Sequence, residues 1–192
     1  MSRIVVSEFV TLDGVMEDPG GAEPFERGGW AFQFDRGAEA DQFKLDELVN
    51  ASALLLGRKT YEGFAAAWPE RTDDAGFADK MNSMPKYVVS STLRDPTWSN
   101  TTVLSGDVSG SLAKLKEDVD GDILVAGSRR LVGTLVANDL VDEYRLMVFP
   151  VVLGAGEKLF PDTGGASALT VVESRRAGEV LLLTLHRKES SA

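Results

Sequence analysis

Three short segments place glycine or hydroxyl residues and basic residues directly after an apolar run. In the first, the Gly57 segment (residues 57–60), the apolar run stops at Gly57, and Arg58, Lys59 and Thr60 follow at a predicted helix start. A strand, a glycine and a helix start direct backbone N–H groups and the positive end of a helix dipole toward an anion. The segment predicts half of a clamp for dinucleotide phosphates, although an ordinary turn with solvated basic residues fits its spacing equally well.

Two later apolar runs end in segments of the same character. The Ser90 segment contains Ser90, Ser91 and Arg94, and the Gly127 segment contains Gly127, Ser128 and Arg129. A glycine lets backbone approach a diphosphate closely, and serine hydroxyls beside a cation suit a phosphate monoester on a ribose. In an open parallel sheet, ligands bind beyond the carboxyl ends of the strands. Each segment alone also fits a plain turn, but the three together predict a nucleotide crevice.

The composition restricts the ligands and partners of the chain. Its 192 residues carry a formal net charge of −10, whereas nucleic-acid binding needs a basic face, so we expect no nucleic-acid partner. Because there is no cysteine and a single histidine, His186, we expect no metal site. No apolar run approaches the roughly 20 residues that cross a bilayer, and the first residues lead into a strand rather than a signal peptide. We therefore expect a cytoplasmic protein without a membrane partner.

Hydrophobic periodicity divides the chain into alternating strands and helices. The predicted strands are 3–9, 53–56, 86–90, 101–104, 122–126 and 141–149, followed by a hairpin of 168–176 and 179–188. The predicted helices are 37–51, 60–67, 77–84, 109–119 and 128–138. This alternation predicts an α/β fold with a mainly parallel sheet, helices on both faces and an antiparallel hairpin at one edge. Because no repeat or linker interrupts it, we predict a single domain over residues 1–192.

In their order along the chain, these motifs resemble the dihydrofolate-reductase-like superfamily, in the branch related to the reductase domain of riboflavin biosynthesis. The matching segments are 11–14, 55–62, 88–91, 125–128, 139–146, 150–156 and 159–160. The resemblance implies a three-layer fold on a mixed sheet of about eight strands, with NADPH as the hydride donor. It also implies a homodimer that pairs through the terminal elements of the sheet.

The resemblance gives each segment a role. The Gly57 segment falls where the family holds cofactor phosphates. The Ser90 segment falls at the adenosine 2′-phosphate site, which favours NADPH over NADH, and Arg94 is one source of countercharge. The Gly127 segment falls beside the diphosphate and the nicotinamide, with Ser128 where many relatives have a second glycine. Asp13 and Gly14 belong to the loop that flanks the nicotinamide and the substrate.

The proton donor has three candidates in the sequence. Dihydrofolate reductases use a carboxylate early in the helix before the Gly57 segment, and Glu39 and Asp41 lie in that region. Asp13 is the third candidate. Solvated helix residues, and a turn before Gly14, are the alternatives for these carboxylates. Acid catalysis favours a buried carboxyl group with a raised pKa, and burial is not visible in a sequence.

Three aromatic residues precede the first predicted helix. Trp30, Phe32 and Phe34 have the spacing of one strand face, which predicts a place in the core, with stacking on a flat heterocycle as the alternative.

The sequence thus predicts an NADPH-dependent oxidoreductase that transfers a hydride to a small planar heterocycle, similar to a pterin or a pyrimidine. One alternative is a 5-amino-6-(ribosylamino)uracil-phosphate-type reductase, which needs a second basic cluster. The other is a nucleotide-binding protein of the same fold without turnover. A zinc deaminase half, as in bifunctional riboflavin enzymes, is excluded because its motif requires cysteines.

Overall fold

The computed structural model describes residues 2–160 and 166–188, and its centre is an eight-stranded mixed sheet. The strands are β1 Arg3–Thr11, β2 Ala51–Gly57, β3 Lys86–Val89, β4 Thr101–Leu104, β5 Asp122–Val125, β6 Glu143–Phe149, β7 Leu169–Ala177 and β8 Val180–Arg187. The helices are α1 Gly37–Asn50, α2 Arg58–Ala67, α3 Phe77–Ser83, α4 Val108–Asp118 and α5 Arg129–Ala137. These bounds confirm the predicted alternation to within a few residues.

The strand order is β4-β3-β2-β5-β1-β6-β8-β7. The pairings among strands β1 to β6 are all parallel, whereas β8 runs antiparallel to both β6 and β7. The buried parallel strands are almost wholly apolar, as expected when helices cover both faces. The α/β fold with a terminal antiparallel hairpin is therefore confirmed.

Helices cover both faces of the sheet because each presents an apolar stripe. On one face, α4 and α5 bury leucines such as Leu112 and Leu135 against Ile4 and Val125. On the other face, α1, α2 and α3 bury a second cluster of apolar residues, which contains Leu48, Tyr61, Met81, Val5 and Leu56. A third cluster, which contains Trp30, Ala40, Phe149 and Leu182, extends this layer over β6 and β8. Residues with even numbers in β1 thus face α4 and α5, and the odd ones face α1.

The place in the core predicted for the three aromatic residues before α1 is wrong for Phe32. Residues Trp30–Gln33 form a 3₁₀ helix that begins after Gly29, whose left-handed φ of 74° starts the turn. Trp30 is fully buried, its ring lies 5.2 Å from that of Phe149, and its Nε1 donates to the Glu17 carbonyl. Phe32 is 76% exposed. Phe34 is partly buried and its ring lies 6.0 Å from that of Phe149. The turn thus directs Phe32 to solvent, while Trp30 and, in part, Phe34 take the predicted place in the core.

Candidate active site

The candidate crevice lies where the central strands end at different heights. The ladder between β1 and β5 stops at Val6 and Val125, but the ladder between β1 and β6 continues to Thr11 and Phe149. Strand β1 therefore extends beyond the ends of β5 and β2, and its last residues border the candidate crevice at those ends. Such a point, at the carboxyl ends of parallel strands, is where α/β sheets bind ligands.

The Gly57 and Gly127 segments contact each other at the floor of this crevice. Gly57 donates its N–H to the Gly127 carbonyl over 3.2 Å. A Cβ atom at position 57 would overlap the Ser128 hydroxyl and lie 2.9 Å from the Ser128 Cβ. A Cβ at position 127 would lie 2.7 Å from Thr60 Oγ1. The two glycines therefore allow this close approach, and Ser128 occupies the space that Gly57 leaves free.

Two helices begin at this contact. Gly57 is the N-cap of α2 and Ser128 is the N-cap of α5, and neither position makes a side-chain capping hydrogen bond. The first N–H groups of a helix have no partner within the helix and carry its positive dipole end. Both helix starts are therefore suited to phosphate oxygens. The two segments predicted from the sequence are brought together in this way.

Two arginines of these helix starts are engaged in ion pairs at the protein surface. Arg58 lies 2.7 Å from Glu62, and Arg129 pairs with Glu157 of the loop after β6. Lys59 is exposed. Surface pairs of this kind contribute little to stability, so an anionic ligand can replace the carboxylate at small cost.

The Ser90 segment follows β3, beside β2 on the same edge of the sheet. Ser90 is buried, and its Oγ accepts hydrogen bonds from the N–H groups of Thr92 and Leu93 at 3.1 and 2.9 Å. Ser91 is exposed, and Arg94 donates to the carbonyls of Ser91 and Leu93. The hydroxyl of Ser90 is thus a turn cap, whereas Ser91 and Arg94 present groups to solvent.

Asp13 connects two loops at the end of β1. Its carboxylate accepts hydrogen bonds from the Thr11 hydroxyl at 2.6 Å and from the N–H groups of Leu153 and Gly154 at 3.2 and 2.8 Å. Desolvation raises the pKa of Asp13, but these hydrogen bonds outweigh it and leave the pKa below its ordinary value. The hydrogen bonds favour an ionised, loop-fixing carboxylate over an acid that holds a proton.

Glu39 and Asp41 lie on the exposed side of the first turns of α1. Asp41 is 3.1 Å from Arg36. With Phe32, Phe34 and Arg36, Asp41 lines an open depression of about 430 Å³ at the start of α1. The exposed Phe32 thus keeps open the alternative that an aromatic ring here stacks on a flat ligand.

Glu8, which the sequence analysis missed, lies in the crevice itself. Its Oε1 accepts a hydrogen bond from the N–H of Gly127 at 2.6 Å, and the residue is partly buried. Burial raises the pKa of Glu8 to about 8, while Lys44 and the Gly127 N–H act to lower it and Glu47 acts to raise it. An acidic residue inside an otherwise apolar central strand was the signal in the sequence that could have identified it.

A polar cluster lies on the opposite face of β1, next to Glu8 in sequence. Ser7 donates to Glu47 Oε1 at 2.6 Å and accepts from Lys44 Nζ at 2.6 Å, and Lys44 also pairs with Glu47. Glu47 is only 4% exposed, and its second oxygen makes no hydrogen bond to any residue that the structure describes. The Lys44 ammonium lies 5.3 Å from the centre of the Phe9 ring. The α1 side of the crevice is therefore polar and aromatic.

Two further observations concern metals and membranes. Across residues 2–160 and 166–188, no group of three or more histidine, cysteine or acidic residues is placed to hold a metal ion. In the same ranges, no helix combines the length and the apolar composition needed to cross a membrane.

The mixed sheet, its terminal hairpin and the crevice at its strand ends define an α/β protein of the dihydrofolate-reductase-like class. The RibD C-terminal domain family matches residues 2–183, and the chain belongs to that family. The resemblance stated from the sequence is thus confirmed.

Known relatives and structures agree with this assignment. The uncharacterized protein YyaP of Bacillus subtilis (strain 168) is 29% identical over 176 residues, which cover 90% of this chain and 88% of YyaP. A crystal structure from Shewanella sp. PV-4, described as a riboflavin biosynthesis protein, superposes with a TM-score of 0.76 at 20% identity and covers 97% of this chain and 99% of that one. Dihydrofolate reductase from Enterococcus faecalis, complexed with NADP(H) and RAB-propyl, gives a TM-score of 0.57 at 18% identity, with 97% of each chain covered. These two structures show a shared fold.

Proposed function

We propose that the protein is an NADPH-dependent reductase that transfers a hydride to a small planar heterocycle, similar to a pterin or a pyrimidine. The observation that carries this proposal is the contact between Gly57 and Gly127, which joins two uncapped helix starts at the crevice. Membership of a reductase domain family supports it. Bound in this crevice, NADPH would supply a hydride from C4 of its nicotinamide ring.

The chain has groups suited to each part of this cofactor. The starts of α2 and α5, with Thr60 and the exposed Lys59, suit the diphosphate. Ser91 and Arg94 suit the 2′-phosphate, because they are exposed at the end of the neighbouring strand. Arg129 would turn from Glu157 to the phosphates at small cost, since this pair is half-exposed.

For the proton that accompanies the hydride, the geometry favours Glu8. Its carboxyl is partly buried, lies at the crevice and has a pKa of about 8, near neutral pH as acid catalysis requires. Asp13, Glu39 and Asp41 stay in the proposal as alternatives of lower rank. Asp13 accepts hydrogen bonds that favour its ionised form, and Glu39 and Asp41 are exposed.

The α1 side of the crevice favours an uncharged substrate over a phosphorylated one. Arg36 and Lys44 lie 5.6 and 5.3 Å from the centre of the Phe9 ring and are the basic residues of this wall. Arg36 is paired with Asp41, and Lys44 with Glu47. Lys44 is held by the buried Glu47, so of these two residues only Arg36, whose pair lies at the surface, could turn to a substrate phosphate. A reductase of a ribosylamino-uracil phosphate therefore ranks second.

Two measurements test the proposal. The first is titration with NADPH, followed by tryptophan fluorescence, which the three tryptophans permit. We expect saturable binding, and an absence of binding at millimolar NADPH would overturn the proposal. The second is NADPH oxidation with dihydrofolate, dihydropterins and pyrimidine intermediates of riboflavin synthesis as acceptors. Binding without oxidation of NADPH by any of these classes would favour the non-catalytic alternative.

We also propose a homodimer that forms through the terminal hairpin. Strand β7 is the edge of the sheet, and Val171 and Val172 on it are 61% and 54% exposed. An exposed apolar edge strand is a template for pairing with another chain. Light scattering after gel filtration should give twice the mass of one chain, and Val172→Lys should shift it toward the monomer. A monomeric wild-type protein would contradict the proposal.

A further inference from the structure

We infer that Glu8 must carry a proton when a reduced nicotinamide dinucleotide fills the crevice. Binding of the cofactor thereby brings to Glu8 the proton that the reduction consumes. The inference rests on the proposed function and deepens it. It assigns to Glu8 a role in binding as well as in chemistry.

The first reason is the position of the Glu8 carboxyl. Its Oε1 lies 2.6 Å from the backbone nitrogen of Gly127. Gly127 lies at the floor of the crevice, directly before the N-cap of α5. An ionised Glu8 therefore places a negative charge at the helix start that suits the cofactor phosphates. Two anions in one partly buried site repel each other, and the repulsion is removed when the carboxyl takes up a proton.

The second reason is the set of charges that act on Glu8. From α1, Lys44 favours its ionised form and Glu47 opposes it, while the Gly127 N–H also favours ionisation. Lys44 is itself held by Ser7 and Glu47, so its charge is largely compensated. Burial outweighs these contacts and leaves the pKa of Glu8 at about 8. At a pH near 8 such a group is about half protonated, so one more neighbouring charge changes its protonation strongly.

The chemistry that follows balances in atoms and electrons. Glu8 gives its proton to the nitrogen or oxygen of a C=N or C=O bond whose carbon accepts the hydride and its two electrons. The O–H bonding pair stays on the carboxylate. The oxidised nicotinamide ring is positively charged, so it favours the ionised Glu8 that the transfer leaves behind. Glu8 regains a proton from water when the next reduced cofactor binds.

Calorimetric titration with NADPH at pH 8, in phosphate and in Tris buffer, tests the inference. The two buffers differ in ionisation enthalpy, so the difference in heat counts the protons that are taken up. Because a group of pKa about 8 is half ionised at this pH, we expect uptake of about half a proton per NADPH bound. The Kd for NADPH should then rise about fivefold between pH 8 and pH 9.

Three matched measurements separate Glu8 from other groups. Glu8→Gln should bind NADPH without proton uptake, whereas Glu70→Gln, an exposed loop carboxylate, should behave as the wild type. Repeating the titration with NADH removes the 2′-phosphate, whose own second pKa near 6 could contribute. NADP⁺ should cause less uptake than NADPH, since its ring charge favours ionised Glu8.

The outcomes are distinct. If NADPH does not bind the folded wild-type protein, the proposed function fails and this inference fails with it. If NADPH binds without proton uptake, or if uptake persists in folded Glu8→Gln, the inference alone is overturned. Should Glu8→Gln not fold, carboxyl ¹³C titration of the glutamate-labelled wild-type protein replaces it. Saturating NADPH must then raise the pKa of the glutamate that titrates at about pH 8 in the free protein, and a fall in that pKa contradicts the inference.

Discussion

The hydroxyl of Ser128 lies in the space that a side chain at position 57 would need. A side chain at position 128 therefore requires a glycine at position 57. An alanine Cβ at Gly57 would overlap this hydroxyl and lie 2.9 Å from the Ser128 Cβ. We expect Gly57→Ala to lower the free energy of unfolding by about 1–3 kcal/mol, as overpacking does. NADPH affinity should fall as well, because the two helix starts are pushed apart. Urea denaturation and NADPH titration measure the two effects.

A second substitution should rescue the first. In the double variant Gly57→Ala with Ser128→Gly, the clashing atoms are removed, so most of the lost stability should return. The rescue should be incomplete, since the Ser128 backbone nitrogen would still lie 3.0 Å from the new Cβ. Gly63→Ala in α2 is the control, because nothing lies within 4 Å of its Cβ position, and it should raise stability slightly. Additive effects of the two crevice substitutions would contradict the coupling.

The choice between NADPH and NADH should depend on Ser91 more than on Ser90. Ser91 is exposed at the end of β3, whereas the Ser90 hydroxyl caps the following turn. Ser91→Asp places a carboxylate where the 2′-phosphate is proposed to bind, so we expect the Kd for NADPH to rise tenfold or more and the Kd for NADH to change little. Ser90→Asp should weaken both cofactors, because it also disturbs the turn. Equal losses for both cofactors in Ser91→Asp would show that the 2′-phosphate binds elsewhere.

The pH dependence of stability should reveal Glu8 without any ligand. Its pKa is raised on folding from 4.5 to about 8, so between these values the folded chain binds more protons than the unfolded chain. The contribution of Glu8 to the free energy of unfolding is fully present below pH 4.5 and is lost as the pH rises toward 8. Glu8→Gln lacks this loss, so its thermal midpoint should rise relative to that of the wild type as the pH increases from 5 to 9. A difference between the two midpoints that does not vary with pH would contradict the raised pKa.

The fold and the approach of the Gly57 and Gly127 segments at one edge of the sheet were predictable because their signals are local. Gly57 and Gly127 each end an apolar strand, and the alternation of strands and helices places such ends on one edge of a sheet. The contact of Gly57 with Ser128 was not predictable, since it joins segments about 70 positions apart. It shows that the space beside Gly57 accommodates a serine at position 128, where many relatives are expected to have glycine.

The proposed acid was missed for a similar reason. Glu8 has its raised pKa because of burial and its place beside Gly127, which is 119 positions later in the chain. The candidates Glu39 and Asp41 came from the family resemblance, which implies a carboxylate early in this helix, but the helix turns both toward solvent. Phe32 was assigned to a strand face, yet the turn after Gly29 exposes it. Periodicity identifies an element, but which side of a short turn faces the core depends on tertiary contacts.

Asp13 should prove to hold loops together rather than to donate a proton. Its carboxylate accepts two N–H groups of the loop after β6, from Leu153 and Gly154, and the Thr11 hydroxyl. In Asp13→Asn, one acceptor becomes an NH₂ group that faces an N–H donor, so we expect a loss of about 1 kcal/mol of stability. Because folding lowers the pKa of Asp13, its stabilisation is present above the unfolded pKa and is lost on acidification through the folded pKa. The wild type should therefore lose more stability than Asp13→Asn as the pH falls below about 4.

Turnover separates this positioning role from a catalytic one. Asp13→Asn should reduce NADPH oxidation through a higher KM, because the displaced loop flanks the crevice, and the pH–rate profile should keep its shape. Glu8→Gln should lower kcat and remove the fall in rate above pH 8. If Asp13→Asn instead abolishes kcat and removes this alkaline fall while Glu8→Gln stays active, then Asp13 is the acid, and the assignment made from the buried position of Glu8 is wrong.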